Sequence, residues 1–189
     1  MYKVIPDFIS DDEQVFLKEL VAQYIAKSSG KLRSYADHEQ HHNATFGRNT
    51  EPIYFFSIVE ELKTNTKLQE IVSRMQKAVG VPEENPNTYF NWVISIAPRN
   101  TEVMNHVDPL DEKLMATKKI VRINLIVENA KRGGIFQLSK ESNAMNYVDA
   151  DIPNKGLMTF DASDIWHRIT KNLSGTTRIN LSIDAVVNR

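Results

Sequence analysis

The sequence changes its period once, near residue 87, and that change constrains the fold more than any other feature. Before it, apolar residues recur at helical spacing. After it come eight short runs rich in β-branched and aromatic residues: TYFNWVISIA, EVMNHVD, KKIVRINLIVEN, GIFQLS, MNYVDA, GLMTFDAS, IWHRIT and TRINLSIDAVV. Turn formers separate most of them, among them Pro98-Arg99-Asn100, Gly133-Gly134, Pro153-Asn154-Lys155-Gly156 and Ser174-Gly175. Helices followed by many short strands, without βαβ alternation, argue against a doubly wound parallel sheet. They predict an α+β protein built on a β-sandwich, jelly roll or barrel, with N-terminal helices packed on one face. A length of 189 residues fits one domain. It divides into a helical part over 1–86 and a β part over 87–189. With 41% hydrophobic residues such a chain fills a core without covalent staples.

The helical part carries its own punctuation. Ser10 followed by Glu13 has capping-box spacing, and Asp11 and Asp12 fall in the first turn, where they complement the helix dipole. Phe16, Leu17, Leu20, Tyr24 and Ile25 then recur at helical spacing. A second helical region is expected from about Ile53 to Val79, with a break near Thr64–Thr66, and Gly80 and Pro82 end it.

Composition excludes several classes of chemistry. The chain has no cysteine, which rules out disulfides, Fe–S clusters and thiolate zinc sites. The 23 basic and 24 acidic residues are well mixed, giving a net charge of -1 and no basic stripe of the kind nucleic-acid binders show. No segment reads as a signal-peptide core or approaches the length of a membrane span, so the expectation is a cytoplasmic protein.

Only five histidines occur, and three of them lie in HEQHH at residues 38 to 42. That run fits H-E-x-x-H, the zinc-protease pattern in which His38 and His42 bind metal and Glu39 is the base. The pattern needs a rigid amphipathic helix, and the flanks SYAD and NATFGRN have little apolar periodicity and a glycine close by. Glu60, the candidate third ligand, sits in SIVEELK, which reads as a solvated helix face. The protease reading is therefore set aside. The stretch is expected to be polar surface or, with PLDEKLMATKK, a lid through which His38, His41 or His42 touch a substrate.

The other two histidines belong to the β part. NHVDP places His106 and Asp108 two apart on a strand, hence on one face. Two histidines and one carboxylate form the facial triad of non-haem Fe(II) oxygenases, which leaves positions open for co-substrate and dioxygen. The second histidine must come from a distant strand, and His167 is the remaining candidate. Trp166 alternates away from it, into the core. Past His167 and a Ser-Gly turn stands Arg178, whose guanidinium could clamp a carboxylate beside that histidine on an antiparallel return. Arg178, Asn180 and Ser182 alternate with Ile179, Leu181 and Ile183. If the polar face looks inward it needs a polar ligand; if it looks outward the run is a plain edge strand.

HVD, the distal WHRIT histidine and the TRINLSI arginine, in this order, resemble the signature of the Fe(II)/2-oxoglutarate-dependent oxygenase superfamily. VIPDFISDDEQVFLKEL resembles the strand-then-helix opening of its prolyl-4-hydroxylase-like branch, and FDASDIWHRITKNLSGTTRINLSID the closing strands of amino-acid and peptidyl hydroxylases. The resemblance implies a double-stranded β-helix of jelly-roll, cupin-like form. It implies that His106, Asp108 and His167 bind Fe(II) and that Arg178 binds the distal carboxylate of 2-oxoglutarate. With dioxygen as third reactant, it implies hydroxylation of a free amino acid, a related small molecule or a peptidyl side chain, releasing succinate and CO2. A carboxylate at Asp108 favours hydroxylation over halogenation. Tyr89, Asn91 and Ser182 compete for a second co-substrate contact. Arg122 and Asn124, opposite the apolar face of Val121, Ile123, Leu125 and Val127, are candidates for gripping substrate, although a solvent-facing Arg122 fits the alternation equally well. Two alternatives stand beside this reading: an oxidative demethylase of nucleic-acid bases, which the charge balance disfavours, and a metal-binding β-barrel module without catalysis.

Overall fold

A computed structural model describes residues 2–27, 53–80, 88–108, 112–142 and 146–189. The opening is a strand, β1 (Tyr2–Ile5), then helix α1 (Asp11–Lys27). The predicted capping box forms at its start: Ser10 N–H donates to Glu13 Oε2 at 2.9 Å, and Glu13 N–H donates to Ser10 Oγ at 3.2 Å. The second region departs from the sequence expectation. Tyr54–Ser57 is a strand, β2, and only then come a short helix α2 (Val59–Leu62) and helix α3 (Thr66–Val79). The aromatic run YFFS gains more from pairing with a sheet edge than from one further helical turn. Asn65 caps α3 by accepting from Leu68 N–H at 3.0 Å, and Gly80 closes it in the left-handed conformation at φ 68°.

The eight predicted runs each contain a strand: β3 (Tyr89–Ala97), β4 (Val103–His106), β5 (Lys118–Glu128), β6 (Phe136–Ser139), β7 (Val148–Asp149), β8 (Leu157–Asp161), β9 (Trp166–Ile169) and β10 (Arg178–Asn188). A short helix, α4 (Glu112–Met115), lies between β4 and β5. All pairings are antiparallel. They form two sheets, one ordered β1-β8-β5-β10-β3-β2 and the other β4-β9-β6-β7, as in a jelly-roll-like β-sandwich.

Alternation along the central strands makes two buried layers. Ile123, Leu125 and Val127 of β5 and Ile179, Leu181, Ile183 and Ala185 of β10 share one cluster with Leu17, Leu20 and Val21 of α1 and Leu68, Ile71, Val72 and Met75 of α3. Each valine, leucine, isoleucine or methionine among them, fully withdrawn from water, contributes roughly 1.5–3 kcal/mol. The opposite faces supply Ile120, Ile126, Met158 and Phe160 to a second cluster, where they meet Phe136 and Leu138 of the other sheet. Consecutive strands β9 and β10 do not pair, contrary to the expected antiparallel return: the chain crosses from the four-stranded to the six-stranded sheet. The crossing lets the apolar face of β10 reach the helices while its polar face looks into the sandwich.

Candidate metal centre

Strands β4 and β9 pair so that His106 lies directly opposite His167. A register shift between Val103 and His106 aims the first imidazole at the second, as bulges beside functional sites do. The two ring centroids are 4.1 Å apart. Asp108 follows the end of β4, its backbone N–H held by the Ala162 carbonyl at 2.9 Å. Its Oδ1 stands 3.8 Å from His106 Nε2 and its Oδ2 3.7 Å from His167 Nε2. One ligand atom from each of the three residues falls within 4.8 Å of the others.

The tautomers suit a metal. His106 Nδ1 lies 2.8 Å from the Met104 carbonyl and His167 Nδ1 3.0 Å from the Ile165 carbonyl. A carbonyl only accepts, so both rings carry their proton on Nδ1 and present a bare Nε2 toward Asp108. Phe136 stacks on the His167 ring at 5.9 Å and Phe160 meets it edge-on at 5.0 Å, which fixes its plane. Burial lowers the pKa of His106 and drives that of His167 well below the ordinary value, the latter helped by His106 and Arg122. Burial also raises the Asp108 carboxyl, against the pull of Arg122 and His106. Two neutral imidazoles and a carboxyl group form a donor set suited to a divalent cation.

The inward face of β10 is polar from Arg178 to Asp184. Arg178, Asn180, Ser182 and Asp184 are all buried. Asn124 of β5 accepts from Ser182 Oγ at 2.8 Å and from Asn180 Nδ2 at 3.3 Å. Arg178 is 3% exposed, and burial pushes its pKa down to about 10, so it remains a cation at neutral pH. No carboxylate among the described residues pairs with it. It borders a cavity of 310 Å³ together with Gly134, Phe136, Ala150 and Ile152. Gly133 and Gly134 turn the chain there with φ of +68° and +64°, and a Cβ on Gly133 would overlap the Lys171 carbonyl oxygen. Among the described residues Arg178 Nε and Asn180 Oδ1 are buried without a hydrogen-bond partner, and Asp108 Oδ2 lacks a well-directed hydrogen bond although Arg122 Nη2 lies 2.9 Å from it. Buried polar atoms rarely stay unpaired; Asp108 belongs to the three-residue cluster, and Arg178 borders the cavity.

The remaining sequence candidates divide. Arg122 faces the site: its Nη2 is 2.9 Å from Asp108 Oδ2, and its guanidinium holds Asp184 through Nε at 2.8 Å and Nη2 at 2.7 Å. Asn91 also reaches the site, its Nδ2 donating to Asp184 Oδ2 at 2.8 Å. Tyr89 does not. It lies in the helix-side cluster, in register with Ala185 and 5.8 Å from the Trp92 ring. Tyr89 and Asn91 were expected to share a face, but a bulge in β3 opposite Ser182 and Asp184, with Asn91 at φ 55°, breaks the alternation. Trp166 is half-buried, in register with Ser139. His38, Glu39, His41 and His42 lie outside the described residues, and Glu60 is an exposed partner of Lys63 at 2.7 Å. Asp184 was missed by sequence reading, although the alternation of Arg178, Asn180 and Ser182 points one step further to it.

This architecture was compared with solved structures. A prolyl-4-hydroxylase from Pseudomonas putida superposes with a TM-score of 0.61 over 97% of this chain and 91% of that one, at 12% identity. The chain has the fold of prolyl hydroxylases. Two more share it. A Trichoplax adhaerens prolyl hydroxylase, in complex with a peptide fragment of the hypoxia inducible factor oxygen degradation domain, matches with a TM-score of 0.57 at 11% identity, over 97% and 82% of the two chains. A viral collagen prolyl hydroxylase from Paramecium Bursaria Chlorella virus-1, in its 2OG complex, matches with 0.57 at 13%, over 98% and 94%. No family model matches the chain, and no curated protein matches it. At such identities the likeness is one of backbone architecture, and the side-chain argument rests on this chain's own residues. Among the described residues no helix is long and apolar enough to cross a membrane.

Proposed function

We propose that this chain is an Fe(II)- and 2-oxoglutarate-dependent hydroxylase, built as a single domain on a double-stranded β-helix. One observation carries the reading: two histidines and a carboxylate converge in one cluster, while Arg178, buried and without a carboxylate partner among the described residues, borders a cavity beside Phe136, which stacks on His167. His106, Asp108 and His167 would hold the metal, which supplies dioxygen chemistry when bound. The chain's own residues do the rest. The carbonyls of Met104 and Ile165 keep both imidazoles in the metal-binding tautomer. Arg178 offers a buried cation to the distal carboxylate of the keto acid, where a charge-assisted pair has no water to compete with it. Asn180 and Ser182 line the same face, and Phe136 and Phe160 keep His167 dry and oriented.

The substrate class follows from Arg122. Its charge is spent on Asp184 and Asp108, so it is poorly placed to grip the carboxylate of a free amino acid. A peptidyl side chain, which brings no carboxylate of its own to that strand, fits better, and a solved structure of the same fold contains a peptide. The balanced charge gives a nucleic acid no basic track to follow. The test is succinate formation with Fe(II) and 2-oxoglutarate, screened against proline-containing peptides, free amino acids and nucleosides. Peptides should stimulate turnover most. Stimulation by alkylated nucleosides alone would contradict the peptidyl assignment, and no succinate under any condition would contradict the oxygenase reading.

A further inference from the structure

We propose that Arg122 is a positioning residue for the metal-binding carboxylate of Asp108, and that Asp184 and Asn91 exist to hold and neutralise it. This inference rests on the metal-site reading above. Four side chains form one continuous line: Asn91 Nδ2 donates to Asp184 Oδ2 at 2.8 Å, Asp184 takes Arg122 in a two-point grip at 2.7 and 2.8 Å, and Arg122 Nη2 lies 2.9 Å from Asp108 Oδ2. Two strands and a bulge are recruited to build it. Asp184 is opposite Arg122 in the β5–β10 register, and Asn91 reaches Asp184 because it takes a left-handed backbone conformation at φ 55°.

Each part is unfavourable by itself. A left-handed backbone is uncommon, although asparagine tolerates it better than most residues, and a buried ion pair seldom repays the loss of hydration. Stability alone therefore does not explain the arrangement, whereas metal binding does. A carboxylate that gives one oxygen to a metal leaves the other to accept, and an arginine at that oxygen fixes the rotation of the group. An arginine there also creates a difficulty. Its Nη1 stands 3.5 Å from His167 Nε2, so an uncompensated guanidinium would repel a divalent ion and compete with it for Asp108. Asp184 moderates both effects by neutralising Arg122 and sharing its Nη2, which lies 2.7 Å from Asp184 Oδ2 and 2.9 Å from Asp108 Oδ2. The line thus acts as a clamp whose charge is cancelled before the metal arrives.

The clamp predicts an order that a merely structural ion pair does not. Co(II) affinity and the visible bands of bound Co(II) are measured by anaerobic titration of the full chain, with folding checked by circular dichroism. Arg122→Met/Asp184→Asn removes both charges together, so the net charge around Asp108 is unchanged. It should bind Co(II) about 10- to 100-fold more weakly than the starting protein, with altered bands. Asp184→Asn alone should bind more weakly still, because it leaves the guanidinium free to pair with Asp108. Asn91→Gly keeps the backbone conformation, loses one hydrogen bond, and should fall between the starting protein and the double variant. A folded double variant with the starting affinity and bands would overturn the proposal, as would Asp184→Asn binding more tightly than the double variant. His106→Ala separates the two levels of the argument. If it binds Co(II) as well as the starting protein, the metal site itself is wrong and the clamp falls with it.

Discussion

His106 and His167 each give the Nδ1 proton to a carbonyl two residues upstream, which turns two histidines into ready ligands. Such detail cannot be read from a string of letters, whereas His106, Asp108 and His167 could be proposed as ligands from it; Asp108 nevertheless lies past the end of β4 and not on the strand face that alternation predicts. Alternation does hold for Arg178, Asn180 and Ser182, whose shared face follows from their spacing, and whose inward direction followed once β10 was central rather than an edge. In β3 alternation failed at a bulge. Asn91 left the face of Tyr89 because its backbone is left-handed, and Tyr89 went to the helix side. The residue proposed to hold the co-substrate is Arg178, buried and without a carboxylate partner among the described residues. Arg178→Gln keeps a polar side chain but removes the charge. Steady-state kinetics should show the KM for 2-oxoglutarate rising roughly 10- to 100-fold with a much smaller change in kcat, the equivalent of one charged hydrogen-bond pair. An unchanged KM would remove Arg178 from the site.

Elements were legible to the extent that their signals were local. The capping box of α1, the glycine stop of α3 and the eight β runs all declared themselves through turn formers and periodicity. Tyr54–Ser57 was misread because an aromatic run of four residues has no period of its own, and the edge of β3 decides its conformation. The cap of α1 makes a prediction of known sign. Burial tends to raise the Glu13 carboxyl, but the Ser10 backbone N–H and the Arg74 guanidinium, 2.8 Å away, outweigh it and leave the pKa lowered. A lowered carboxyl pKa adds stability that is present above the unfolded value of about 4.3 and is lost as pH falls through the folded value. Glu13→Gln should therefore flatten the acid side of the stability curve in urea. Ser10→Ala should cost about 1 kcal/mol at neutral pH. An acid limb unchanged in Glu13→Gln would mean that the box contributes nothing.

At the scale of the whole molecule, the decisive fact is that consecutive strands change sheets. Periodicity shows which residues share a face but not which sheet receives a strand, so the crossing between β9 and β10 was invisible until the two sheets were seen. The crossing lets one sheet present two imidazoles while the other presents Arg178, Asn180 and Ser182 across a shared interior. Neither sheet holds the site alone, and metal and keto acid are expected to bind as a pair. The most direct test is the visible spectrum of the protein with Fe(II) and 2-oxoglutarate in the absence of oxygen. A weak charge-transfer band, present only with both additions and absent from His106→Ala, is the predicted result. A band that survives His106→Ala unchanged, or no band in a protein that binds both additions, would contradict the account.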